Sequence, residues 1–196
     1  MKKFYELGKN TLYPICRSIT GNGFRRSLRI VKNHFPQFKI KKIKSGTKVF
    51  DWNIPEEWNI SDAYVIDKNG NKIINFKENN LHLVGYSIPI NKYITKKDLL
   101  KNLYFLKDQP KAIPYITTYY KKRWGFCVSF DQLNKIQKEY SNKDIFKVVI
   151  NSNFKKKGFL NYGELILKGE SKEEILISTY LCHPSMANNE LSGPIV

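Results

Sequence analysis

Cysteine and histidine are scarce in this 196-residue chain, three of each. Cys16, Cys127 and Cys182 make no CxxC pair and no even set, which excludes a disulfide framework and a cysteine-based zinc finger. Such usage fits a reducing compartment, and the cytoplasm is the expected location. No stretch approaches the roughly 18 consecutive apolar residues of a membrane span, so no membrane partner is expected. The N-terminal MKKFYELGKNTLYPICRS starts basic, but Glu6, Lys9 and Asn10 interrupt its apolar positions, unlike a secretory h-region. Acidic residues number half the basic ones, 17 against 34, for a formal charge of +17. The lysines are scattered, however, rather than gathered on one face among stacking aromatics, so no specific nucleic-acid partner is expected. In GFRRSLRIVK the apolar Phe24, Leu28, Val31 and Phe35 fall at helical spacing. They leave Arg25, Arg26, Arg29 and Lys32 on a solvated face. Internal repeats and low-complexity segments are absent. CRSITGNG carries Arg17 and two glycines but neither the preceding strand nor the lysine of a phosphate-cradling loop. It reads as a turn between two helices, with Arg17 facing a substrate cleft as the lesser alternative.

The length allows one or two domains and a sizeable core. Spaced apolar positions predict a helix over residues 3–19, interrupted near Pro14, and a second from Phe24 to His34, stopped by Pro36. FKIKKIKSG alternates as a strand exposed on one side, with Phe38, Ile40 and Ile43 as its buried face. AYVIDKNGNKIINF predicts a hairpin with a two-residue type I′ turn at Asn69-Gly70. NLHLVGYSIPI reads as a further strand. TKKDLLKNLYFL and SFDQLNKIQ read as helices capped by Thr95 with Asp98 and by Ser129 with Gln132. FKVVINS, LNYGELILKG and EEILISTYLCH read as strands, the last so continuously apolar that burial on both faces is expected. Aromatics of YITTYYKKRWGF are assigned to core packing rather than to a sugar-stacking platform. Residues 48–128 thus form a small β-rich unit inserted in an α/β domain.

His183 stands where a buried strand would leave its sheet, the place where open α/β folds bind ligands. A strand-end histidine followed by a loop carboxylate, here Glu190 in PSMANNELSG, is one way to begin a metal site. A structural histidine and a solvated glutamate at a helix start are the plainer alternatives. His34 and His82 have no carboxylate at ligand spacing and are read as structural. Cys182, beside His183, offers a sulfur ligand or a nucleophile as the lesser alternative, but it is expected to pack away from the site, because neighbouring strand residues face opposite sides. No Ser-His-Asp arrangement can be drawn.

Six ordered segments, LYPICRSITGNGFRRSL, SGTKVFDWNIPEEWNISDAY, NLHLVGYSIPI, IPYITTYYKKRWGFC, YGELILKG and STYLCHPSMANNELSGP, resemble a bacterial family of aminopeptidase-like proteins. These are the DUF4910 proteins with an embedded DUF2172 domain, linked to polysaccharide biosynthesis. The resemblance implies an α/β, zinc-exopeptidase-like (M28-type) sheet with helices, interrupted by a small β-rich domain. On that reading residues 1–47 and 129–196 are two parts of the aminopeptidase-like domain, incomplete at its C-terminus, and 48–128 are the insertion. It also implies a zinc cofactor and a peptide or amide-containing small-molecule substrate. Where M28 enzymes have a loop like DDNxSG, this chain has NNELSG, so the place of the metal-bridging aspartate falls on the neutral Asn189. Glu190, one position over, is the favoured ligand, and the expected metal set is His183, Glu190 and Asn189. The chain is expected to be an N-terminal fragment, inactive by itself and prone to associate as a homo-oligomer through an unpaired sheet edge. The alternative is a non-catalytic binding or scaffold module in the same pathway.

Overall fold

A computed structural model describes residues 2–195. It is a mixed α/β structure with several small sheets and few helices, divided into two compact units. One unit combines residues up to Asn59 with those from Phe154 onward, and the other runs Ile60–Asn153. The sequence reading drew its β-rich insertion at 48–128, whereas the second compact unit spans Ile60–Asn153. The unit takes in the Ser129-capped helix and the FKVVINS strand, because both bury their apolar side chains in its core.

In the first unit a short helix α1 (Lys2–Glu6) continues as a π-helical turn, Leu7–Leu12, and ends before Pro14, whose ring has no N–H to extend it. Helix α2 (Gly21–His34) places Phe24 and Leu28 inward, with Arg26, Arg29 and Lys32 on its outer side, as the 3.6-residue period dictates. It packs on an antiparallel ribbon of β1 (Lys39–Lys44) and β10 (Phe159–Glu164), registered from Lys39 opposite Glu164 to Lys44 opposite Phe159. Strand β1 buries Ile40 and Ile43 halfway between outward lysines. A small hairpin, β2 (Lys48–Val49) with β3 (Trp52–Asn53), follows. Leu12, Phe24, Leu28, Leu181 and Leu191 form the unit's core, with Val31, Phe38 and Ile40 packed against it.

One expected element of this unit does not form. EEILISTYLCH is not a strand: Ile175, Leu176 and Ile177 are 92%, 91% and 88% exposed. An apolar run decides which faces would gain from burial, but a strand also needs a second backbone to take its hydrogen bonds. Among the described residues none pairs with it.

The second unit is built on a sheet ordered β5-β4-β9-β6, from β4 (Glu57–Ile66), β5 (Lys72–Asn75), β6 (Ile90–Thr95) and β9 (Ile145–Lys155). Phe146, Val148 and Ile150 of β9 are buried, as are Leu133 and Ile136 of helix α4 (Phe130–Glu139). Helix α4 opens with a complete capping box: Ser129 Oγ accepts from Gln132 N, and Gln132 Oε1 accepts from Ser129 N. Thr95 caps the shorter α3 (Lys96–Leu100) through the Asp98 amide. A parallel pair, β7 (Leu103–Tyr104) with β8 (Phe126–Cys127), completes the regular elements. His82 is buried and its Nδ1 pairs with the Cys127 carbonyl at 2.8 Å, a structural bond.

Two local expectations change here. The β4–β5 connection is a longer loop than a two-residue type I′ turn, which requires positive φ at both central residues. Only Gly70 has it (φ +86°), and the Asp67 carboxylate organises the loop by accepting from the amides of Asn69 and Asn71. NLHLVGYSIPI forms a 3-10 turn (Asn80–His82) and isolated bridges at Leu83 and Gly85 rather than a continuous strand. Tyr86 interrupts it with a φ of +63°, outside the extended region.

Candidate metal centre

The cluster is assembled by its apolar neighbours. Leu181, immediately before Cys182, and Leu191, immediately after Glu190, are both buried in the Leu12–Phe24–Leu28 core. Burying the two leucines draws the ends of the intervening loop together and turns the Glu190 side chain inward. The loop is held by Leu191 N and Ser192 N donating to the Ala187 carbonyl at 2.9 and 3.0 Å, and by Ser192 Oγ donating to the Asn188 carbonyl. Ser185 adopts φ +50°, a left-handed backbone uncommon for a residue with a Cβ.

Cys182, His183 and Glu190 each offer a ligand atom, and these atoms lie within 4.8 Å of one another. His183 Nδ1 lies against Glu190 Oε1. Glu190 is 0% exposed, and its Oε2 has no hydrogen-bond partner. A buried carboxylate oxygen normally accepts hydrogen bonds or binds a cation, because desolvating it otherwise costs several kcal/mol (about 1–3 or more). This orphaned oxygen is the observation by which the residues fit a metal. Sulfur, imidazole and carboxylate donors together suit a borderline cation such as zinc.

Asn189 is placed elsewhere. It is exposed, its Oδ1 accepts from the Tyr180 hydroxyl at 3.2 Å, and its amide reaches Met186 Sδ at 3.5 Å. The Tyr180 ring stands edge-on to His183 with centroids 5.7 Å apart. Thus His183 and Glu190 are brought together and Asn189 is not, while Cys182 joins them, contrary to expectation. The rule that neighbours face opposite sides holds within a strand, and residues 180–182 are not in one.

Arg17 was the other residue whose role the sequence did not disclose. Its side chain is almost wholly buried and spans to the site: Nη2 donates to the His183 carbonyl at 2.9 Å, and Nη1 donates to the carbonyls of Leu12 and Ile15. Gly23 makes room for this turn, since a Cβ there would sit 1.8 Å from the Cys16 carbonyl oxygen. Burial lowers the Arg17 guanidinium to about 10, a pull that the nearby thiols of Cys16 and Cys182 oppose. Burial also pushes the Cys16 thiol up to about 12 and raises that of Cys182, the positive Arg17 pulling both the other way. His183 titrates below the ordinary histidine range, first through burial and then through the Arg17 charge. A neutral imidazole is the form that binds metal.

The class so defined is a mixed α/β protein carrying a thiol–imidazole–carboxylate cluster of metal-ligand type. The chain belongs to the DUF4910 family, a domain of unknown function whose family model matches residues 5–196. It is 48% identical over 182 residues to a Clostridium acetobutylicum protein described as "Putative polysaccharide biosynthesis protein with aminopeptidase-like domain". That match covers 93% of this chain and 40% of the relative, so the chain spans less than half of the relative's length. A crystal structure titled as that of a "putative peptidase" from Clostridium acetobutylicum superposes with a TM-score of 0.91 at 47% identity, covering 99% of this chain and 44% of that one. Among the described residues no helix is long and apolar enough to cross a membrane.

Proposed function

We propose that this chain carries metal ligands of a zinc-dependent, aminopeptidase-like hydrolase acting in surface-polysaccharide biosynthesis on a peptide or amide-containing small molecule. The observation that carries the reading is the buried Glu190 carboxylate set against His183 with one oxygen unpartnered. The relatives' descriptions support the reaction class. His183 and Glu190 would hold the ion, and a metal bound there supplies an acidified water and polarises the scissile carbonyl. Arg17 fixes the His183 backbone, and the Leu181 and Leu191 anchors hold both ligands in place. The frame is a zinc-exopeptidase-like (M28-type) sheet with a small inserted domain. Further catalytic groups are expected in the part of the relatives that this chain does not match.

A second reading is a non-catalytic binding or scaffold module. It is favoured by Asn189, whose neutral amide faces Tyr180 rather than the cluster. Metal analysis separates the two. The purified protein should retain zinc through dialysis, and His183→Ala and Glu190→Gln should each lose it. Equal zinc in all three proteins removes the site assignment.

A further inference from the structure

Resting on the metal reading above, the geometry points to Cys182 as a thiolate ligand of the same ion, so that residues 182–190 alone supply three protein donors. Its Sγ lies within 4.8 Å of the ligand atoms of both His183 and Glu190. Independently of the cysteine, the fully buried Glu190 has an oxygen with no hydrogen-bond partner, which marks the same spot as a place for a cation. Two anionic donors and one neutral imidazole would balance a divalent ion. Three protein donors leave a fourth position open to water or substrate, the pattern of catalytic rather than closed structural zinc. They also make a single-ion site self-sufficient without a bridging carboxylate at position 189.

On binding, the thiol releases its proton to solvent and a sulfur lone pair forms the bond to the metal, with no change of oxidation state. Cys182 also packs against the Leu12–Phe24–Leu28 core, a competing structural role. A thiol that only packs would leave no trace in the electronic spectrum of a bound ion.

The test is cobalt(II) titration of the metal-stripped protein. Wild type should show visible ligand-field bands of a low-coordinate ion together with a near-ultraviolet sulfur-to-cobalt charge-transfer band. Cys182→Ser and Cys182→Ala should keep the ligand-field bands, lose the charge-transfer band and bind at least roughly tenfold more weakly. Cys16→Ser should keep both features. Ligand-field bands without charge transfer in wild type overturn the role of Cys182 and leave His183 and Glu190 standing. A charge-transfer band that survives in Cys182→Ala assigns it to another thiol and likewise overturns the inference. No cobalt binding at all overturns this inference and the metal reading together. Because the wild-type spectrum by itself decides whether sulfur binds, a variant that fails to fold does not spare the proposal.

Discussion

Glu57→Gln should destabilise the protein by about 3 kcal/mol near neutral pH, and the loss should vanish in acid. Glu57 lies at the start of β4 with its side chain only 4% exposed. Its carboxylate accepts from both terminal nitrogens of Arg25 on α2, each at 2.8 Å, from Asn59 Nδ2 at 3.1 Å and from the Phe159 amide at 3.1 Å. The Arg25 hydrogen bonds above all hold its pKa down from 4.5 to about 2, with the Asn59 and Phe159 bonds adding to them and burial opposing. Lowering the carboxyl from 4.5 to about 2, at about 1.36 kcal/mol per pH unit, gives about 3 kcal/mol, which the low exposure of the side chain leaves largely unscreened. Because the folded state depresses this pKa, the contribution is fully present above about pH 4.5 and is lost as pH falls toward about 2. Urea unfolding followed by far-ultraviolet circular dichroism, wild type against variant across this range, gives the difference directly. Other carboxylates titrate in both proteins and cancel. A gap below about 1 kcal/mol at neutral pH, or one that does not shrink in acid, refutes the charge argument and leaves packing as the cause.

Two further outcomes are expected. Gly23→Ala should lower the melting temperature by an amount equivalent to about 2 kcal/mol or more, since its Cβ would drive into the Cys16 carbonyl, which is backbone and cannot swing aside. An unchanged melting temperature would mean that this approach is looser than described. Replacing Ile175 and Ile177 together by threonine should alter unfolding free energy by less than about 0.5 kcal/mol per site, because both are almost fully exposed. Light scattering on the same proteins should show less self-association than wild type, and a cooperative loss of stability instead would show that the run is packed.

The elements that were legible share one property: their signals are local. Helix α2 follows from apolar residues at Phe24 and Leu28 and a stop before Pro36, all within one segment. The α4 start follows from Ser129 and Gln132, three residues apart, whose side chains and amides satisfy each other without outside help. The hairpin was foreseen but its turn was not. Asn-Gly is a two-residue signal, and the Asp67 side chain beside it captured the amides first. The missing strand at 173–183 shows the same limit from the other side, since its pairing depends on a backbone elsewhere.

At the candidate site the division is equally physical. The sequence by itself determined that His183, Asn189 and Glu190 stand close along the chain, because residue type and spacing are local properties. Only the tertiary structure decided that Glu190 is buried with a lone oxygen, that Cys182 turns toward it, that Asn189 turns to Tyr180, and that Arg17 reaches across to the His183 carbonyl. Side-chain direction outside regular strands is set by what the neighbouring leucines bury. The bond from Arg17 to His183 joins residues 166 positions apart, a distance no spacing rule can cross.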